Sequence, residues 1–134
     1  MKYVLDTNAI IAALNRVAVV EQRLRVEPAA EIGIPIVVMA ELLYGAQRSK
    51  RSAENLERVR RLPNSFQTLP VTEAVTERYG LLRAKLEARG LPKSDFDLVI
   101  ACTALEHGAI LVTNDGSLKD GSIEGLTVED WLEA

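Results

Sequence analysis

At 134 residues, 48% of them hydrophobic, the chain has the size of one ordinary domain and enough apolar side chain for its own core. A net charge of −3 argues against a general nucleic-acid binder, which carries a strong positive field, and a single cysteine, Cys102, excludes an internal disulfide, as suits a cytoplasmic protein. No apolar run approaches the roughly 18 residues of a membrane span, and the first is broken at once by Asp6, so neither a spanning helix nor a secretory leader is expected.

Residues 2–6 read as a strand whose apolar run stops on a carboxylate, Asp6, followed by Thr7 and Asn8. Helix capping is one reason to place such residues there, since all three accept hydrogen bonds from the free N–H groups of a first helical turn. A short helix from Ala9 to Leu14 follows, then a second from Val19 to Val26 that ends before Pro28. Residues 34–39, "IPIVVM", form a β-branched run of the kind found in buried parallel strands, and lead into "AELLYGAQ", helical in composition.

From Ala53 to Leu62 a helix carries Leu56, Val59 and Leu62 on one stripe. It lies within residues 48–61, "RSKRSAENLERVRR", which hold six basic side chains against two acidic ones, a local +4 that leaves the remainder at −7. Arg48, Lys50, Arg51, Arg58, Arg60 and Arg61 read on their own as an exposed, solvated face, and as phosphate contacts once the acids are taken to hold a metal. A strand near residues 67–71 precedes a long helix capped by Thr72, with Val75, Tyr79, Leu82 and Leu86 at helical spacing and Gly90 and Pro92 stopping it. Ser94 caps a helix from Asp95 to His107, "AILVT" at 109–113 is a buried strand, and "LTV" at 126–128 a short last one. Alternating strands and helices predict a three-layer α/β/α fold, a central parallel sheet of four to five strands in a single domain over residues 1–134.

In such a sheet ligands bind outside the carboxyl ends of the strands. Asp6 ends the first strand, Glu41 follows "IPIVVM", and Asp115 follows "AILVT" by two residues. Asp97 joins them from the first turn of a helix, on the same face as Ile100 and Ala101 and therefore turned inward. Each acid alone has an ordinary explanation as a cap, a turn residue or a helix glutamate. Together they repel, at about 4 kcal/mol for a pair 4 Å apart at an effective dielectric of 20. A hard divalent cation such as Mg²⁺ or Mn²⁺ removes that cost, with Thr7 and Asn8 as polar support.

The segments "VLDTNAII", "VMAELLYGA", "FDLVIACTALEHGAILVTND" and "GLTVEDWL" run the length of the chain. In that order they resemble PIN-domain proteins, and more narrowly the VapC-type toxins of toxin–antitoxin pairs. The resemblance implies a Mg²⁺- or Mn²⁺-dependent endoribonuclease with Asp6, Glu41, Asp97 and Asp115 as the acidic site and Thr7 and Thr113 beside it. It also implies a homodimer and a small VapB-like antitoxin whose tail crosses the site. For that tail, Leu42, Leu43 and Tyr44 with the helix at 53–62 are the expected contact surface. Two departures stand out: Leu118 occupies a place where many members have an aromatic residue, and Asp95 rivals Asp97, although only Asp97 fits the D-x-x-I-A spacing. The alternatives are a haloacid-dehalogenase-like phosphatase, which usually has a second aspartate where this chain has Asn8, and a non-catalytic RNA- or protein-binding PIN module.

Overall fold

Strand β1, Tyr3–Leu5, is apolar throughout and buried at every position, because it runs down the middle of the sheet with a neighbour on each side. A computed structural model describes residues 1–133 and arranges five parallel strands in the order β3-β2-β1-β4-β5. These are β2 (Ile32–Pro35), β3 (Gln67–Leu69), β4 (Ile110–Val112) and β5 (Val128–Glu129). Among the described residues seven α-helices flank the sheet: α1 (Thr7–Leu14), α2 (Ala18–Val26), α3 (Ile36–Arg48), α4 (Ser52–Arg60), α5 (Glu73–Ala88), α6 (Asp95–Glu106) and α7 (Gly116–Lys119). Among the described residues no helix is long and apolar enough to cross a membrane.

The chain steps from β1 to β2 to β3 in one direction, then returns to place β4 on the other side of β1. That reversal makes the carboxyl ends of β1 and β4 the switch point of the sheet, where the diverging connections leave a crevice. The register pairs Leu5 with Val112, so the chain emerges from both strands at one level. The amide of Asp6 donates to the Val112 carbonyl at 2.9 Å and holds the two exits together.

One expected strand is largely helix. Of "IPIVVM" only Ile34 and Pro35 belong to β2, and α3 begins at Ile36. Proline tolerates a strand end, where no further ladder bond is asked of it, and here it is the N-cap residue of α3 with φ −57°. Val38, Met39, Leu42 and Ala46 are the buried positions of α3, a three-to-four-residue spacing that a strand does not give. Burial of that stripe against α1, α4 and α6 outweighs the β preference of Ile36, Val37 and Val38.

Elsewhere the expected boundaries hold to within two residues, apart from short α7, which is additional. Thr72 Oγ1 accepts from the Val75 amide at 3.2 Å and Ser94 Oγ from the Asp97 amide at 3.2 Å, so both expected caps form. Trp131 packs edge-on against Tyr3 with ring centroids 5.1 Å apart, and the Arg23 guanidinium lies 4.8 Å from the Trp131 ring while donating to Glu129 at 2.9 Å. These contacts fasten the last described turn to the sheet.

Candidate active site

Asp6 has left β1 but is only 5% exposed, an unusual place for a carboxylate. Its Oδ1 accepts from the Thr7 amide at 2.7 Å, as an N-cap of α1 does, and its Oδ2 accepts from the Thr113 hydroxyl at 2.7 Å. Thr113, also buried, follows β4, and its Oγ1 accepts in turn from the Asp115 amide at 3.1 Å. Asp115 is the N-cap of α7, its Oδ1 accepting from the Ser117 amide at 2.9 Å. The two strand ends at the switch point are thus joined through one threonine, with an aspartate on each side of it.

Glu41 enters from the second turn of α3, where Thr7 Oγ1 donates to its Oε1 at 2.7 Å. Asp97 lies half-buried in the first turn of α6. Burial is the main cause that raises the Asp97 carboxyl above its ordinary value, and the charges of Asp115, Asp6 and Glu41 add to it. Asp6 is also raised, first by burial and further by Asp115, against the lowering effect of its hydrogen bonds to Thr113 and Thr7. Asp95, the rival of Asp97, turns to the α5 side: it accepts from Tyr79 Oη at 2.6 Å and from Arg83 at 3.2 Å.

Every donor in this cluster is a carboxylate or hydroxyl oxygen, the chemistry hard divalent cations take. Among the described residues no three carboxylates stand close enough to share one ion as their side chains are placed. Mg²⁺ needs no such cage. It keeps several of its waters and is usually held by one or two carboxylates, so the donor set fits an ion of this kind.

Asn8 does not bond an acid. Its amide donates to Asn114 Oδ1 at 3.0 Å on the exposed rim, linking α1 to the loop before α7. Asn114 is not among the residues the sequence singles out, although the signal is visible: "DTN" at 6–8 and "TND" at 113–115 put the same three residue types at two neighbouring strand ends. Lys93 is a second omission. Its buried ammonium donates to the Ser117 carbonyl and, at 3.0 Å, to Asp120, whose carboxyl is held at about 2 chiefly by Ser122 and then by Lys93. This cation pins α7 in place, and no periodicity announces it.

The six basic side chains have different surroundings. Arg51 pairs with Glu54 at 3.8 Å, Arg61 with Glu57 at 3.1 Å, and Arg58 donates to the Leu14 carbonyl. Arg48, Lys50 and Arg60 are exposed and make no ion pair among the described residues. Between α1, α3 and α4 lies a groove of about 250 Å³ whose walls include Ile11, Leu14, Leu42, Gly45 and Val59.

Residues 3–123 match the family described as PIN domain. The chain belongs to the PIN domain family. This PIN domain is 33% identical over 132 residues to the protein named tRNA(fMet)-specific endonuclease VapC of Shigella flexneri, with 98% of each chain covered. It is 33% identical to ribonuclease VapC2 of Rickettsia felis, again over 98% of each. Two solved structures share the architecture. The VapBC2 complex of Rickettsia felis bound to a promoter DNA fragment matches with a TM-score of 0.87 at 31% identity, covering 98% of this chain and 99% of that one. DNA-bound VapBC of Salmonella typhimurium matches at 0.89 and 28% identity, covering 98% of each. The match to this family leaves the dehalogenase-like phosphatase without support.

Proposed function

We propose that this PIN domain is a divalent-metal-dependent endoribonuclease, the cytoplasmic toxin of a VapBC-type pair. The observation that carries the proposal is the gathering of carboxylates from separate elements at the switch point of the sheet: Asp6 and Asp115 joined through Thr113, Glu41 held by Thr7, and a half-buried Asp97 on which the charges of the other three act. Asp6, Glu41 and Asp97 would surround Mg²⁺ or Mn²⁺, one or two of them as direct ligands and the rest through its waters, with Asp115 beside them. A bound divalent ion supplies charge compensation, a more acidic water and polarisation of a phosphoryl oxygen.

The chain's own residues prepare that chemistry. Thr113 fixes Asp6, Thr7 fixes Glu41, and the Ser94 cap sets the first turn of α6 from which Asp97 projects. Locked rotamers cost nothing further when substrate arrives. Asp115 is half-exposed and orients the attacking water. RNA is the substrate class, and a tRNA is the first to test because the relative in Shigella flexneri is named for one.

The partner is a small antitoxin, in keeping with the VapBC complexes among the structural neighbours. Its apolar side chains occupy the groove of Leu42, Gly45 and Val59. A second copy of the chain covers the apolar face beside the acids, where Phe96 and Val71 are exposed next to Val37 and Val99. The test of the proposal is cleavage of RNA by purified protein in EDTA and after restoring Mg²⁺ or Mn²⁺. Activity that returns with metal and is absent from Asp97→Asn is the expected result, and cleavage that persists in chelator overturns it.

A further inference from the structure

The sequence grouped Tyr44 with Leu42 and Leu43 as one contact surface, and the structure separates them. Leu42 is buried and lines the groove between α1, α3 and α4, whereas Tyr44 is 63% exposed and stands outside the groove's lining. Helical geometry says where Tyr44 faces. At about 100° per residue, Tyr44 lies some 60° and Arg48 some 20° from Glu41 around the α3 axis, with rises of about 4.5 and 10.5 Å. Glu41, Tyr44 and Arg48 therefore form a stripe leading away from the acids. The Arg48 guanidinium lies 5.3 Å from the Tyr44 ring centroid, and Arg48 makes no ion pair among the described residues.

We infer that Tyr44 and Arg48 are an RNA-binding extension of the acidic site: the ring stacks an unpaired base, and Arg48 meets its phosphate. The inference rests on the ribonuclease function proposed above. Three features support this occupant. An aromatic face beside a guanidinium is the arrangement with which proteins bind single-stranded nucleic acid, since every base has a π face. The acids repel phosphate, so a strand crossing them needs a cation close by. Arg48 is the cation on the Glu41 face of α3 and makes no ion pair among the described residues, its neighbours Arg51, Arg58 and Arg61 being engaged elsewhere.

The experiment measures quenching of a single-stranded RNA carrying 2-aminopurine, bound to Asp97→Asn protein so that no cleavage intervenes. Tyr44→Ala should abolish the quenching and weaken binding about fivefold or more, the low end for loss of a base–aromatic stack. Tyr44→Phe keeps the ring and should retain most of both. Arg48→Gln should lower affinity and reduce the salt slope by about one ion. In the active protein Tyr44→Ala should raise KM with little change in kcat.

Quenching and KM that survive Tyr44→Ala overturn the inference. So does a Tyr44→Ala protein that cleaves RNA normally but escapes its antitoxin, because the ring then belongs to the protein partner. A wild type that cleaves no RNA with metal would remove the catalytic proposal alone, since the quenching experiment needs no turnover and still decides the role of Tyr44.

Discussion

Replacing Thr113 with valine keeps the side chain's size and removes one hydroxyl, which serves both strand ends at the switch point. In the wild type that hydroxyl donates to the buried Asp6 Oδ2 and accepts from the Asp115 amide. A hydrogen bond to a buried charge contributes about 1.5–3 kcal/mol, and the Asp115 amide, on a half-exposed residue, can turn to water, so the loss comes to about 1.5–3 kcal/mol. With roughly 2.1 cal/mol/K per residue of unfolding entropy, 134 residues give about 0.28 kcal/mol/K, and the melting temperature should fall by roughly 5–11 °C.

The effect depends on pH in a definite sense. The folded pKa of Asp6 lies above its ordinary value, so as pH rises from that ordinary value through the folded pKa the native state holds the extra proton and stability declines. Removing the Thr113 donor takes away a lowering influence and raises the folded pKa further. The gap between Thr113→Val and wild type should therefore be smallest below the wild-type folded pKa, widen from there to the higher folded pKa of the variant, and level off above it. Thermal melts in EDTA across acid to neutral pH measure it. Curves that coincide at neutral pH, or a gap that is largest in acid, would refute the placement of Thr113 on a charged, buried Asp6.

Asp97→Asn should lose nearly all RNA cleavage while Asp95→Asn keeps most of it, because Asp95 is engaged with Tyr79 and Arg83 and Asp97 with the other acids. The reverse pattern in a cleavage assay would mean that the wrong carboxylate has been assigned. Gly45 sits mid-helix with nothing within 4 Å of an added Cβ, so Gly45→Ala should stabilise the fold by about 1 kcal/mol, roughly 3–4 °C, yet weaken the antitoxin by placing a methyl in the groove. Calorimetric titration with the antitoxin would contradict this if affinity were unchanged. Cys102 is buried and its thiol is pushed up to about 11 by burial, so a thiol reagent at pH 8 should label it only on unfolding. Prompt labelling of the native protein would contradict that burial.

The placing of Asp6 and Asp115 at one edge was legible because a parallel sheet puts every strand exit on the same side, so a carboxylate directly after Leu5 and one three residues past Val112 had to lie near each other once those strands paired. Their hydrogen-bond partners were less so. That Thr7 serves Glu41 while Thr113 serves Asp6 depends on side-chain directions across elements, which spacing does not encode. The start of α3 was misread because Ile36, Val37 and Val38 favour strands locally, and the proline before them acts as the helix N-cap. Lys93 was invisible for another reason: a buried ammonium bonded to a carbonyl and an aspartate is specified by tertiary placement alone.

A crystal of the protein soaked in Mn²⁺ and measured at the manganese absorption edge tests the central claim most directly, because the anomalous signal locates the ion itself. The account predicts a peak bounded by Asp6, Glu41 and Asp97, lost in a parallel crystal of Asp97→Asn. A protein that cleaves RNA with Mn²⁺ but shows its peak elsewhere, or shows none among these carboxylates, would contradict it.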